Sequence, residues 1–335
     1  MAVFFPENGI VAHVSDVKEG VLLMNLGSPD STENKAVRRY LAEFLSDRRV
    51  IEMNPFLWQP ILRGIILPFR PKQSANLYRK IWKDSGSPLL VNTRMLAHEL
   101  SKKIDLPVYF GMTYGKPAMS EVVQQMKKEG INRIIAIPLF PQYASSAAIA
   151  SLDALWRTLL RLRVPPSINT VDPFYNFTSY IDAVAGRIRL HWQHGERGDV
   201  LLFSFHGIPL AQHNAGDAYV AQCYTTARRL AESLSLSDKD YRVVFQSRFG
   251  RAQWVTPSTQ DVLAQLPKQG VQNVDICCPG FFCDCLETLE EISISGKEIF
   301  TQAGGKTYRY IPCLNAGNDS VFVLTKLVSQ YRLKS

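Results

Sequence analysis

Two stretches of the sequence carry residue types suited to proton or metal chemistry. Of six histidines, only His206 follows directly on a strongly apolar strand candidate, Leu201–Phe205, and Gly207 and Pro209 turn the chain at once into a loop. An imidazole titrates near neutral pH, so at the end of a strand it could bind a metal through a neutral ring nitrogen or move a proton. It could equally be a partly buried histidine satisfied by a backbone carbonyl. The second stretch is Cys278-Pro279-Gly280-Phe281-Phe282-Cys283-Asp284-Cys285-Leu286-Glu287-Thr288-Leu289-Glu290-Glu291, where a strand ends, a short loop passes and a helix begins. Glu287 and Glu291 are four apart and share a helix face, as a pair of acid/base or metal-binding carboxylates would. Asp284 and Glu287 also fit a capping box, Asp284 as N-cap and Glu287 reaching back, which is a purely helix-starting role. Such a cap has no need of Glu291, which tilts the pair towards chemistry.

The elements that must position these residues follow from hydrophobic patterning. Apolar, β-rich runs alternate with longer amphipathic stretches, the pattern of βαβ units and parallel sheets. The predicted strands are Val21–Leu26, Val108–Met112, Ile134–Leu139, Ser167–Val171, Val200–Phe205, Val243–Ser247, Val271–Cys278 and Tyr308–Leu314, four in each half. Landmarks recur in one order. Leu22 to Pro29 aligns without gaps on Leu202 to Pro209, both ending in Gly-x-Pro. Val108-Tyr109-Phe110 through Tyr114-Gly115 parallels Val243-Val244-Phe245 through Phe249-Gly250, and Gly130-Ile131 parallels Gly270-Val271. Two similar α/β halves joined near residue 175 would produce this, as would the general resemblance of any two α/β domains. In open parallel sheets ligands sit beyond the carboxyl ends of the strands. The first such loop, Gly27-Ser28-Pro29-Asp30, has neither the G-x-G-x-x-G pattern nor a P-loop lysine, so a dinucleotide oxidoreductase loses ground.

Composition narrows the partners. The 335 residues are 46% hydrophobic and 20% charged, the balance of a soluble globular protein, with a net charge of +8 that favours acidic ligands or an anionic surface. The basic residues are scattered and no nucleic-acid motif stands out, so nucleic acid is not expected. The stretch before Gly20 has no basic start followed by a long apolar region, which makes the cytoplasm the expected location. No apolar run reaches the length of a membrane span. The segment Pro55-Phe56-Leu57-Trp58 through Ile65-Ile66-Leu67-Pro68-Phe69 is apolar but broken by Arg63, with Arg70 following; it is either a surface that holds a hydrophobic substrate or touches a bilayer, or an ordinary buried helix.

Taken in order, Leu26-Gly27-Ser28-Pro29, the Phe44-Leu45-x-Asp47-Arg48 core, Gly86-Ser87-Pro88-Leu89, Gly111-x-x-Tyr114-Gly115, Pro141-Gln142-Tyr143, His206-Gly207-Ile208-Pro209, Gln246-Ser247-Arg248-Phe249-Gly250 and Asp284 to Glu291 resemble the successive motifs of ferrochelatases, from about Gly20 to Leu327. The resemblance implies an enzyme, a lyase, that inserts ferrous iron into protoporphyrin IX as the terminal step of haem synthesis. It implies two Rossmann-like domains, 20–175 with a porphyrin-covering lip over residues 55–69 and 176–330 with the metal-insertion residues, each a four-stranded parallel sheet flanked by helices, and a cleft between them. His206 matches the metal-site histidine and Glu287 the glutamate facing it, with Glu291 a further acid on the same helix. Tyr114, Ser247, Trp254 and Phe281 match positions lining the cleft. The chemistry suits those types: two pyrrole protons must leave as Fe²⁺ enters, and a sparse site of imidazole and carboxylate can hand iron over where four strong ligands would retain it. A different metal or tetrapyrrole, cobalt or coproporphyrin, would suit the same pair, and a non-catalytic haem or porphyrin carrier is the alternative from another class.

In the reducing compartment expected for this chain the six cysteines are not expected to form structural disulfides, and Cys277, Cys278, Cys283 and Cys285 crowd one stretch, which makes metal or cluster binding thinkable. Animal-type ferrochelatases carry an iron–sulfur cluster on a cysteine-rich tail not found here, and Ser145 stands where those enzymes have their remaining cysteine. By resemblance to some bacterial relatives, Cys223, Cys278, Cys285 and Cys313 would be the ligands of an internal 2Fe–2S cluster, against the ordinary reading of cysteines as small buried apolar residues.

Overall fold

The computed structural model describes residues 17–250 and 252–333. Eight strands, β1 (Glu19–Asn25), β2 (Val108–Met112), β3 (Arg133–Pro138), β4 (Ser167–Thr170), β5 (Val200–His206), β6 (Tyr241–Gln246), β7 (Asn273–Cys277) and β8 (Thr307–Ile311), build two four-stranded sheets, ordered β2-β1-β3-β4 and β6-β5-β7-β8. Every pairing in both sheets is parallel. The central strands are continuous apolar runs because helices cover both faces of a parallel sheet; Val21, Leu22, Leu23 and Met24 are wholly buried. All eight expected strands are present. The largest difference is at β8, which stops at Ile311 because Pro312 has no N–H to continue the ladder.

The two sheets share one topology, and the recurring landmarks occupy equivalent places in it. Gly27-Ser28-Pro29 follows β1 and Gly207-Ile208-Pro209 follows β5, each the strand flanked by the second and third of its sheet. A parallel bridge closes the loop after the second strand of each half, Met112 to Ala118 and Phe245 to Ser258. Gly27 must be glycine: its φ is +110°, and a Cβ there would stand 1.8 Å from the Tyr114 carbonyl oxygen.

One hydrophobic core runs through both halves, joining Val21, Leu23, Leu96 and Ile135 to Phe203, Phe205, Cys277 and Ile311. The C-terminal helix, Asn318–Tyr331, returns to pack on the helices Pro88–Ser101 and Thr178–Gln193, one from each side of residue 175.

The apolar segment of the first half is not a buried helix. It runs as a helix over Pro55–Ile61, a π-turn over Leu62–Ile66 and a longer helix over Leu67–Ile81. Pro68 has no amide for the carbonyl four residues back, and Leu67 donates instead to Leu62, five back, which widens the turn. Along it Phe56, Leu57, Ile65 and Phe69 are 89%, 66%, 59% and 71% exposed. No helix among the described residues is long and apolar enough to cross a membrane. The stretch before Gly20, on which the expectation of a cytoplasmic location rests, lies mostly outside the described residues.

Candidate active site

Between the two sheets, beyond the carboxyl ends of their strands, lies a cleft of about 430 Å³ whose walls include Leu26, Phe44 and Phe140 from the first half and His206, Trp254 and Phe281 from the second. His206 is the last residue of β5, delivered to the cleft by a strand whose preceding residues are buried. Its Nδ1 stands 2.6 Å from the Gly207 carbonyl oxygen. That oxygen only accepts, so Nδ1 carries a hydrogen, and in the neutral ring Nε2 keeps its lone pair for a metal or a proton. The carbonyl contact expected of a partly buried histidine is present, and it occupies one ring nitrogen only.

Glu287 opens a π-helix, Glu287–Gly296. The expected capping box does not form. The Asp284 N–H donates to Asn315 Oδ1 at 2.8 Å, and its carboxylate accepts from Asn315 Nδ2 (2.6 Å), Thr288 Oγ1 (3.0 Å) and the Tyr310 hydroxyl (2.5 Å). Asp284 is held by the loop after β8, and Glu287 has no cap to serve. Its backbone is fixed from the other side: the fully buried Gln246, at the end of β6, donates through Nε2 to the Glu287 carbonyl at 2.9 Å and accepts from Ser204 Oγ at 2.8 Å. The wide turn of the π-helix brings Glu287, Glu290 and Glu291 together onto the cleft wall.

Glu291 is not a spare carboxylate but the best-anchored of the three. It accepts the Ser247 N–H at 2.7 Å, the Ser247 hydroxyl at 2.5 Å and Gln260 Nε2 at 2.7 Å. Burial pushes its carboxyl above the usual glutamate range, while the Ser247 hydrogen bonds and the nearby His206 pull part of the way back. Ser247 presents both donors by adopting a left-handed backbone, φ +67°, unusual for a residue with a Cβ. Trp254 donates its indole N–H to the Phe249 carbonyl at 2.9 Å, and the Phe281 ring lies 6.5 Å from the His206 ring, both facing the cleft.

Tyr114 does not line the cleft. It is buried edge-on behind Phe44, ring centres 5.2 Å apart, and Phe44 takes the wall position. Residues that sequence reasoning did not single out include Gln246 and two cations on the wall, Arg70 and Arg248. Arg70 stacks over Phe249, 5.4 Å from its ring centre, and burial lowers its proton affinity. Gln246 and Arg248 were within a quoted motif, the one signal that could have found them.

The four cysteines do not suit an iron–sulfur cluster. Cys278, Cys285 and Cys313 share Asp284 as a neighbour, whereas Cys223 packs in the core shared by the halves, against Tyr219. Among the described residues no three His, Cys, Asp or Glu side chains gather as metal ligands. Desolvation holds the thiols of all four well above their usual pKa, and the neighbouring Asp284 and Glu287 carboxylates, rather than cations, push three of them further the same way.

The ferrochelatase family profile matches residues 18–332. A Neisseria meningitidis protein named ferrochelatase is 48% identical over 331 residues, 98% of each chain. One so named from Chromobacterium violaceum is 48% identical over 93% of this chain and 87% of its own. Among solved structures, SirB from Bacillus subtilis with Fe3+ superposes with a TM-score of 0.56 at 13% identity, covering 94% of this chain and 96% of that one, which speaks to the fold alone. The two-sheet architecture, the cleft and this similarity over nearly the full length agree, and the chain belongs to the ferrochelatase family, lyases that insert ferrous iron into a porphyrin in haem synthesis.

Proposed function

We propose that the chain inserts Fe²⁺ into protoporphyrin IX held edge-in within this cleft, with His206 and Glu287 as the reacting pair and Glu291 behind Glu287 as a further proton acceptor. The carrying observation is the His206 ring, held through Nδ1 by the Gly207 carbonyl, in the wall of the cleft that Glu287 and Glu291 also line. Insertion exchanges two pyrrole protons for one Fe²⁺. In this reading His206 Nε2 meets the metal or a pyrrole proton, Glu287 takes the other part, and protons leave along the carboxylates of the π-helix. Phe44, Phe281 and Trp254 would flank the macrocycle. The second half, 176–330, supplies the metal chemistry, and the first half, 20–175, supplies the lip and much of the bed.

Protoporphyrin is favoured over coproporphyrin by charge. Among the described residues the cleft wall carries two cations, Arg70 and Arg248, the latter 3.4 Å from Asp261, which is nearer to the two propionates of protoporphyrin than to the four of coproporphyrin. The exposed apolar row from Phe56 to Phe69 supports peripheral contact with a membrane surface, from which so apolar a substrate could be taken up.

The test is to mix the purified chain with Fe²⁺ and protoporphyrin without oxygen and follow the absorption spectrum. Conversion of the free-base spectrum to that of haem is expected. Bound porphyrin that is never metallated would make the chain a carrier and sink the reading, and faster turnover of coproporphyrin would replace the substrate.

A further inference from the structure

We propose that Lys80 is a positioning residue of the reaction: it ties the lip helix of the first half to Glu290 and thereby holds the turn that carries Glu287 and Glu291. This rests on the function proposed above. Lys80 lies one residue before the end of the helix Leu67–Ile81, which begins in the lip segment 55–69 and continues beyond it, and its Nζ stands 2.8 Å from Glu290 Oε1. The Glu290 side chain is 6% exposed, between two other acids of the π-helix, and all three line the cleft. Three carboxylates within five residues, one of them buried, repel one another, and a buried carboxylate without a counter-charge is strongly disfavoured. Glu290 receives one neutral hydrogen bond, from Ser295 Oγ at 3.1 Å, and its cation comes from the lip. The lip helix and the π-helix also pack directly on each other.

The other end of the lip is fastened in the same manner. Glu52, just before the exposed helix, accepts from Gln212 Nε2 at 3.2 Å, and Gln212 lies in the short helix Leu210–Asn214 that follows the His206 loop. The lip is therefore tied at one end to the element carrying the carboxylates and at the other to the element following the histidine. Of the two ties the Lys80–Glu290 pair is the charged one with a buried partner, so it is the one whose loss leaves a charge uncompensated beside the reacting groups. A lip lysine that served stability alone would leave the reacting carboxylates where they are.

Four variants separate the two roles. Lys80→Met removes the charge and keeps the stem; Lys80→Arg keeps the charge; Glu290→Gln keeps the shape of its partner; and Lys72→Met removes an exposed lip charge that makes no ion pair among the described residues. Lys80→Met and Glu290→Gln are expected to lower kcat by about 5- to 30-fold with little change in KM for porphyrin. Their combination should be no worse than either alone, because they break one coupling. Lys80→Arg and Lys72→Met should turn over like the parent. Amide exchange, measured whether or not the protein turns over, should quicken in Lys80→Met across both 67–81 and 287–296. Parent-like kcat in Lys80→Met or Glu290→Gln overturns the proposal, as does quickened exchange confined to 67–81. An inactive parent whose exchange still responds in both segments would overturn the catalytic reading and leave the tie standing.

Discussion

His206 and Glu291 are tuned by opposite means, one by a carbonyl that fixes a tautomer and the other by donors set against burial. In the proposed mechanism His206→Ala removes the Nε2 ligand and base together, and because the ring is only partly buried the fold should survive. Insertion is expected to fall by about 10²–10⁴-fold with porphyrin binding retained, measured as anaerobic turnover beside a fluorescence titration; near-normal turnover would remove His206 from the mechanism. For Glu291 the sign follows from the direction of its shift. Its folded pKa is raised, so its charged form is lost as pH falls through a value above that of free glutamate, and if it accepts protons as proposed the acid limb of kcat/KM should lie there. Ser247→Ala deletes a hydroxyl that stabilises the charged form, so the limb should move to higher pH by about one unit. A limb that stays put or moves down would dissociate Glu291 from the proton path. His206 and Glu287 could be singled out because they sit at a strand end and a helix start, and Glu291 because it lies four residues on from Glu287. Their partners could not be: Gln246 at the end of β6 and Gln260 in a helix of the second half come from other elements, and an amide that anchors a glutamate looks in the sequence like any polar residue.

At the scale of elements, period decided what could be read. The strands declare themselves through runs of buried residues, so all eight were expected, with ends displaced where a proline or a turn intervenes. The π-helix does not, because a turn of i→i+5 bonds over ten residues leaves the same sequence trace as an α-helix. The capping box failed for a related reason: its pattern is local, and Asn315, about thirty residues on, outcompetes it for the Asp284 amide. Tyr114 was expected on the cleft wall through its motif, yet Phe44, from the helix Asn34–Leu45, stands in front of it. The lip was left undecided because exposed and buried apolar helices share a period. Its apolar row now makes a prediction. Leu57→Asp with Phe69→Asp changes two exposed side chains, so thermal stability should stay within about 0.5 kcal/mol of the parent, while sedimentation with anionic phospholipid vesicles should weaken severalfold. Undiminished vesicle binding would assign the row to the porphyrin mouth alone.

Across the whole molecule the duplication stops short of independence. Each half repeats one sheet order, yet one core crosses between them and the C-terminal helix is shared. Val321, Val323, Leu324, Leu327 and Val328 on that helix are buried against both sides, and beyond it Arg332 reaches Asp105 of the first half at 2.6 Å while Asn169 of β4 donates to the Tyr331 carbonyl at 2.6 Å. Fully burying side chains of this size is worth about 1.5–3 kcal/mol each, and domains are stable by about 5–15 kcal/mol in total, so neither half should hold its fold once the helix lets go. Calorimetry of the parent is accordingly expected to show one transition. Leu324→Ala, at a wholly buried position, should cost about 2–5 kcal/mol and lower that transition as a unit, with the change seen equally by probes in either half, such as the amides of β1 and β5. Two transitions in the parent, or a variant in which β5 loosens while β1 does not, would mean that the halves fold separately and merely touch. The cleft would then owe its shape to docking, whereas a single transition makes it a feature of the folded core.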